Sequence, residues 1–334
     1  MMADLPPERV QPCLPFLHTS VDMFGPTEIR ISFRKTAKRY GIIFTCLSSR
    51  AVHIVVCEDA STAAFLNALR AFIAIRGTPA SIYSDNGTNF VGAERELRPV
   101  LEKVSTDVEW KEELIKRGIK WKRYTPLAPH FGGVHEALIR SAKRAIHHVL
   151  DASHKRRLLS ECELHSLYAE VTAFLNNRPL TFVSSDPKDG YLTPNHLLMQ
   201  RTTGETPPGI LSSTPFHDTY EHVQYLANEV WKQWTREYLP ALTTRAKWQA
   251  CQRNAQVGDL VLLVEENLPR DKWITARVTE VFKGNRGFVR SVRLLLPTLD
   301  FTKKKYLSRP IVKCCLLDAA DQLSIAPWGL KCSD

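Results

Sequence analysis

No two cysteines in this chain are spaced C-x-x-C, although there are eight of them, at positions 13, 46, 57, 162, 251, 314, 315 and 332. That spacing argues against a zinc knuckle or a disulfide framework. Several of the cysteines also sit in apolar runs such as Ile42-Ile43-Phe44-Thr45-Cys46-Leu47, so reduced and mostly buried thiols are expected. No basic-then-apolar leader opens the sequence, and no apolar run approaches the ~18–20 residues of a membrane span. Neither secretion nor membrane insertion is expected, and a soluble intracellular protein is. No internal repeat is seen either.

What is present is ordinary globular material. The 334 residues are 44% hydrophobic and 24% charged, with a mean hydropathy of −0.22, enough for a substantial core and unlike a disordered chain. The length exceeds one average domain, so two domains are expected. Against 35 acidic residues stand 45 Lys and Arg, a formal charge of +10. A basic surface of that size attracts polyanions, nucleic acid foremost.

Residues 1–15 are proline-rich and read as an extended lead-in. Strand-like runs follow at 16–23, 39–47 and 51–56, the last two joined tightly by Ser48-Ser49-Arg50. Apolar positions 65, 66, 69, 72 and 73 mark a helix over 61–75, with Ser61 as its N-cap. A strand at 80–83, a helix at 94–103, a strand at 119–124 and helices at 131–150 and 163–176 complete the series. This β-meander feeding an αβα layer resembles the ribonuclease H-like order, a mixed five-stranded sheet flanked by helices, and the core is set at residues 16–200. Residues 182–220 are rich in Pro, Ser, Thr and Gly and read as a linker. An amphipathic helix follows from about 220 to 248, so that 201–253 forms a linker and helical connector. Short strands at 259–264, 273–282, 288–296 and 306–317 then suggest a small SH3-like β-barrel over 254–318, before a tail at 319–334.

Three carboxylates stand where acids are unwelcome. Asp22 ends the apolar strand Val21-Asp22-Met23, Asp85 ends Ile82-Tyr83-Ser84-Asp85, and Glu136 lies early in the long helix after Gly132-Gly133. Any one of them alone is what a turn or a helix start would use. Together they suit two strand ends and a helix converging on one point, where clustered carboxylates need cations between them. Two divalent ions about 3.5–4 Å apart are the arrangement for phosphodiester chemistry. The helix adds independent support. At 100° per residue, Arg140 falls about 40°, Lys143 about −20° and Arg144 about 80° from Glu136, while Leu138, Ala142, Ala145 and Val149 fall at about 180–240°. One stripe is therefore core, and the opposite stripe pairs the acid with cations suited to a phosphate backbone.

Val21-Asp22-Met23-Phe24-Gly25-Pro26, Tyr40–Leu47, Tyr83-Ser84-Asp85-Asn86-Gly87-Thr88-Asn89-Phe90, and Ala128-Pro129-His130-Phe131-Gly132-Gly133 followed by Glu136 resemble the integrase of Bel/Pao-type long-terminal-repeat retrotransposons. Asn177-Arg178-Pro179-Leu180-Thr181 and Leu192-Thr193-Pro194 are similar to its core end, and Val257-Gly258-Asp259-Leu260-Val261-Leu262 with Trp273 to the small carboxy-terminal domain of the same polyproteins. The resemblance implies an Asp-Asp-Glu triad of Asp22, Asp85 and Glu136 holding two Mg²⁺ or Mn²⁺ ions. It also implies 3′-end processing and strand transfer into DNA, assembly of several copies on DNA ends, and action in the nucleus. Family members carry a His/Cys zinc module before the core; this chain starts after it, and no zinc is expected. The residue before the glutamate, Trp in the family, is His135 here.

DNA contacts are expected at Arg140, Lys143, Arg144, Asn89 and His130, the last with a packing role as its alternative. In the barrel-like region, which holds 12 basic and 7 acidic residues, Arg286, Arg290 and Lys304 are further candidates. Trp231, Trp234 and Trp248 are expected to pack a helix rather than stack on bases, and His147-His148 to suit a helix end. Two other readings remain open: a nuclease on the same fold, and a catalytically inactive, retrotransposon-derived DNA-binding or interaction protein.

Overall fold

The computed structural model describes Glu8 and residues 11–84, 118–123, 133–154, 157–182, 191–201, 219–242, 254–265, 270, 272–284, 287–297 and 305–320. The chain forms two compact units, Met1–Asn177 with Pro194–Trp234, and Arg178–Thr193 with Thr235–Asp334.

In the first unit β1 (His18–Ser32), β2 (Lys35–Cys46) and β3 (Val52–Cys57) form an antiparallel meander. β4 (Ser81–Ser84) and β5 (Lys120–Arg123) run parallel to β1, giving the order β3-β2-β1-β4-β5. With helices α1 (Thr62–Arg76), α2 (Gly133–His154) and α3 (Glu161–Asn176), this is the ribonuclease H-like fold. Both faces of the sheet are covered, which is why Ile42, Ile43 and Phe44 on β2 are apolar in succession and all 0% exposed. One face packs on α1 through Val21, Met23, Phe44, Phe65 and Phe72; Phe44 and Phe72 stack with ring centroids 4.1 Å apart.

On the other face Phe24 reaches Tyr168 of α3, ring centroids 5.4 Å apart. Its ring also crosses the partner strand at Gly41, where a Cβ would lie 2.2 Å from the ring carbons. Only glycine permits that approach. Ser61 caps α1 by accepting the Ala64 N–H at 3.1 Å. Asn176 covers one end of the edge strand: its amide accepts the Val52 N–H and donates to the Val52 carbonyl, both at 2.7 Å. The start of α3 is a capping box in which Glu163, buried, accepts from the Ser160 N–H and hydroxyl at 2.7 and 2.8 Å. Arg157 and His222 reach the same carboxylate at 2.7 and 3.3 Å. Burial would raise the Glu163 pKa, but these donors and the Arg157 charge overcome it and hold it below its ordinary range.

α4 (Pro194–Met199) and the part of α5 (Thr219–Leu242) up to Trp234 belong to this unit. The stripe Val223, Leu226, Ala227, Val230, Trp231 and Trp234 is buried. Phe174 lies against Trp231 and Trp234 at 5.5 and 5.7 Å, so these two tryptophans are packing residues; Trp248 lies outside the described residues.

The second unit holds a five-stranded antiparallel sheet, β11 (Lys305–Pro310), β10 (Val289–Leu296), β9 (Thr275–Lys283), β8 (Leu260–Leu263) and β12 (Cys314–Asp318), in that order. A single 3-10 turn, Ile311–Lys313, joins the fourth strand to the fifth, and the arrangement is SH3-like. Val261, Leu263, Val278, Val292 and Leu294 fill one side, and Leu262 and Cys315 meet Leu239 on the other. Asp259 explains the Gly258-Asp259 pair in the sequence: fully buried, its carboxylate accepts the N–H groups of Gln256 and Ala320, each at 2.9 Å. Gly258 turns at φ 98° beside Ala320.

Three sequence expectations are corrected here. β1 does not end at Met23: it bulges after Phe24, with Gly25 at φ 117°, and pairing resumes at Thr27↔Arg39 and runs to Ser32. Gly25-Pro26 is therefore a kink within a strand and not its stop. The stretch read as linker contains a short pair, β6 (Thr181–Phe182) with β7 (Tyr191–Leu192), and α4. Pro310, which cannot donate to a ladder, splits the single expected strand over 306–317 into β11 and β12. The helix expected at 94–103 lies outside the described residues.

Glu163→Gln should lower the stability of the full chain by about 1–3 kcal/mol at neutral pH. A carboxylate held below its ordinary 4.5 contributes stability above that value and loses it as pH falls through the lowered one. The wild-type advantage in urea unfolding should therefore shrink in acid, and a difference unchanged by pH would refute the charge's role. Asp259→Ala, which takes the acceptor from two part-buried N–H groups, should cost about 1 kcal/mol or more by the same measurement.

Candidate active site

β1 is the middle strand, hydrogen-bonded to β2 on one side and β4 on the other. Strand alternation sends Val21 and Met23 into the core under α1, so Asp22 faces the opposite side of the sheet. The parallel register sets Val21 against Ser84, the last residue of β4 and the one preceding Asp85 in the chain. Asp85 itself lies outside the described residues, as do Asn89 and His130.

α2 packs on the Asp22 side. Leu138, Ile139, Ala142, Ala145, Ile146 and Val149 are buried, while Arg140 and Arg144 are exposed. The apolar stripe of the helical wheel is thus the packed one. Lys143 does not point freely to solvent. Its Nζ lies 2.6 Å from Asp22 Oδ2 and donates to the Met23 carbonyl at 2.9 Å. The other carboxylate oxygen, Oδ1, accepts the Met23 N–H at 2.8 Å. Asp22 is therefore engaged at both oxygens, with its side chain still 25% exposed. Glu136 lies in the first turn of the same helix, about two turns or 10.5 Å before Lys143 and on the same stripe. Its side chain, like that of His135, is outside the described residues.

Among the described residues no three His, Cys, Asp or Glu side chains are grouped to hold a metal ion. Of the three singled-out acids, only the Asp22 carboxylate is described. The chemistry of that carboxylate fits a hard divalent cation: it is an oxygen donor beside a helix carrying a second acid, and a cation, the Lys143 ammonium, already sits on it. A metal ion would have to share or take that oxygen.

Elsewhere, Arg290 is exposed on β10 with its side chain beside Gly284. Arg293 pairs with Glu280 across β9 and β10 at 3.0 Å. Arg286, Lys303 and Lys304 lie outside the described residues. His147 is not at the helix end, since α2 continues to His154; it pairs with Asp151 one turn on, at 2.8 Å. The described cysteines are free, and four of the six are buried. Burial pushes the thiols of Cys57 and Cys314 up to about 11 and Cys315 up to about 12, so none of these offers a thiolate nucleophile near neutral pH. The sequence reading missed the reach of β1 and β2 beyond the site, where Arg30, Arg34, Lys35 and Lys38 surround Phe33. Their clustering was the available signal, hidden by ending the first strand at Met23.

Residues 218–317 match the model of a family of unknown function (DUF5641). No curated protein matches the chain. Among solved structures, the chain is similar to the simian T-cell lymphotropic virus intasome, determined by cryo-electron microscopy in complex with PP2A regulatory subunit B56 gamma. That match has 12% identity, covers 92% of this chain and 83% of that one, and has a TM-score of 0.38. The catalytic core domain of BIV integrase is 15% identical over 55% of this chain and 95% of its own, with a TM-score of 0.36. The HTLV-2 integrase catalytic core domain in complex with magnesium is 14% identical over 56% and 99%, with a TM-score of 0.32.

The Lys143–Asp22 pair makes a prediction about the metal-free protein. Lys143→Ala leaves a partly buried carboxylate short of one partner, and for a pair this exposed the loss should be about 1 kcal/mol. Thermal unfolding in chelator should fall by roughly 2–4 °C, and millimolar Mg²⁺ should restore more of the variant's stability than it adds to the wild type. Identical melting of both proteins in chelator would show that the pair contributes nothing.

Proposed function

We propose that the chain is a retrotransposon integrase of the Bel/Pao type, carrying out 3′-end processing and strand transfer of element DNA into target DNA. The observation that carries this reading is the contact between Lys143 and Asp22. It seats α2, the helix bearing Glu136, against the central strand bearing Asp22, so two of the three acids lie on elements in contact. The third, Asp85, follows directly on the strand paired with β1.

Asp22, Asp85 and Glu136 would hold two Mg²⁺ or Mn²⁺ ions, which supply charge neutralisation at the attacking and leaving oxygens of an in-line displacement. Asp22 suits its part because the Met23 N–H holds one of its carboxylate oxygens in a fixed direction. Arg140 and Arg144, exposed on the same helix, are set to hold a DNA backbone beside the site through its phosphates. In the first step a water oxygen forms a bond to phosphorus and the 3′-oxygen of the element strand leaves. In the second, that 3′-hydroxyl attacks a target phosphate, and the target's own 3′-oxygen leaves with the proton. No covalent bond to the protein is formed.

Arg290 on the sheet of the second unit, and Arg286 and Lys304 from the same basic stretch of sequence, would add phosphate contacts. Joining two DNA ends at one target calls for more than one copy on DNA, in the nucleus. The Bel/Pao type rests on the sequence motifs quoted above.

Asp85→Asn tests the reading because it keeps size and removes one anionic ligand. In an oligonucleotide joining assay with Mg²⁺ or Mn²⁺, joining should fall by more than the roughly 10–100-fold that losing an outer-shell metal partner costs, while DNA affinity stays within about twofold. Full joining by purified Asp85→Asn would contradict the metal role. A wild type that binds DNA but joins nothing with any divalent ion would mark the catalytically inactive alternative.

A further inference from the structure

The β1–β2 hairpin runs on past the packed part of the sheet. Ile29 is 0% exposed, and Arg39 is 8% exposed with its guanidinium held by Glu161 at 2.8 Å. Beyond this rung every residue from Arg30 to Thr36, and Lys38, is exposed. Pairing continues through Arg30↔Thr36 and Ser32↔Lys35 to a two-residue tip, Phe33-Arg34. The base of the arm is braced: the Arg30 N–H donates to the Leu159 carbonyl at 2.8 Å, and Arg30 bridges to Ser160. It is a supported ribbon and not a loose loop.

Its chemistry is one-sided. Residues 30–38 include Arg30, Arg34, Lys35 and Lys38 and no acid. The neighbouring Glu28 is engaged by the Thr36 hydroxyl at 2.6 Å. At the apex Phe33 is 92% exposed, and Ile31 beside it 49%. One exposed apolar residue needs no account; two at the end of a ribbon whose charges are all positive make an apolar tip in a cationic collar. A second copy of this chain is a poor occupant, because each copy carries a formal +10. Duplex DNA matches every part. Phosphates take the cations, a two-stranded ribbon fits the major groove, and an exposed aromatic ring at its tip has the apolar base edges of that groove, the thymine methyl groups, to contact.

We infer that residues 30–38 are a duplex-DNA-binding arm, in which Arg30, Arg34, Lys35 and Lys38 neutralise backbone phosphates and Phe33 packs against the bases. This rests on the reading of the chain as a DNA-joining protein, but uses none of the residues of the carboxylate site. All four cations and the ring project from an exposed ribbon, so substituting them leaves the core untouched.

The test is fluorescence anisotropy of a labelled 30-base-pair duplex titrated with the full chain across a range of salt. Arg34→Gln with Lys35→Gln should make the log–log salt slope shallower by about 0.9 per lost phosphate contact. Phe33→Ala should weaken binding about fivefold or more with the slope unchanged, because an apolar contact to base edges releases no counterions. Wild-type slope and affinity in both variants overturns the arm. Unchanged DNA binding with lost self-association in sedimentation also overturns it, and assigns the tip to contacts between copies. Joining measured in parallel separates the two proposals. Joining without tip-dependent binding sinks the arm alone, and tip-dependent binding without joining sinks the catalytic reading alone.

Discussion

The ion pair between Lys143 and Asp22 ties a helix to the middle strand of a sheet across a side that is otherwise packed with apolar groups. β1 is bound to β2 and β4 on its two edges, and α1 covers one of its faces. A carboxylate on the remaining face must find a partner or stay wet, because an unpaired buried charge is costly. Lys143 meets that need while also satisfying the Met23 carbonyl. The pair agrees with the rotational setting that the buried apolar stripe gives α2. Once Lys143 is aimed at Asp22, the helical repeat puts Glu136 on the same stripe and directs Leu138, Ala142 and Ala145 into the core.

Several local constraints keep that arrangement from shifting. Gly41 admits the Phe24 ring, which in turn meets Tyr168, so β1, β2 and α3 interlock two residues along the strand from Asp22. Asn176 holds the far edge strand by two backbone bonds, and Glu163 gathers the start of α3 and His222 around one buried carboxylate. Each is a polar or steric requirement that only one residue type meets, which is why these positions look unremarkable in composition and decisive in place. In the second unit Asp259 has the corresponding role, binding the Gln256 and Ala320 amides around one buried side chain.

Much of this was legible beforehand where a period or a cap carries the signal. Ser61 and the apolar positions after it fix α1, and the wheel of α2 separates its buried and charged stripes correctly. Trp231 and Trp234 pack against Phe174, as their helical spacing implies. What was not legible depends on tertiary pairing. Gly25-Pro26 carries a strong stop signal, yet the neighbouring strand supplies a register in which β1 bulges and continues, and the exposed arm was lost with it. Similarly, proline and threonine content concealed the β6–β7 pair and α4. Lys143 was assigned to DNA because the wheel places it beside Glu136. The wheel cannot show that the strand opposite presents a carboxylate to the same ammonium.

Competition for the Asp22 carboxylate is what the proposed metal role turns on, since a metal bound there would have to share or displace what Lys143 now holds. The most direct measurement is the anomalous difference map of crystals grown with and without Mn²⁺. Manganese should appear within about 2.0–2.6 Å of an Asp22 oxygen, shared with Asp85 or Glu136, with the Lys143 ammonium moved away from Oδ2. Crystals saturated with Mn²⁺ that show no peak at Asp22, and Lys143 still on its carboxylate, would contradict the assignment of this face as a metal-dependent active site.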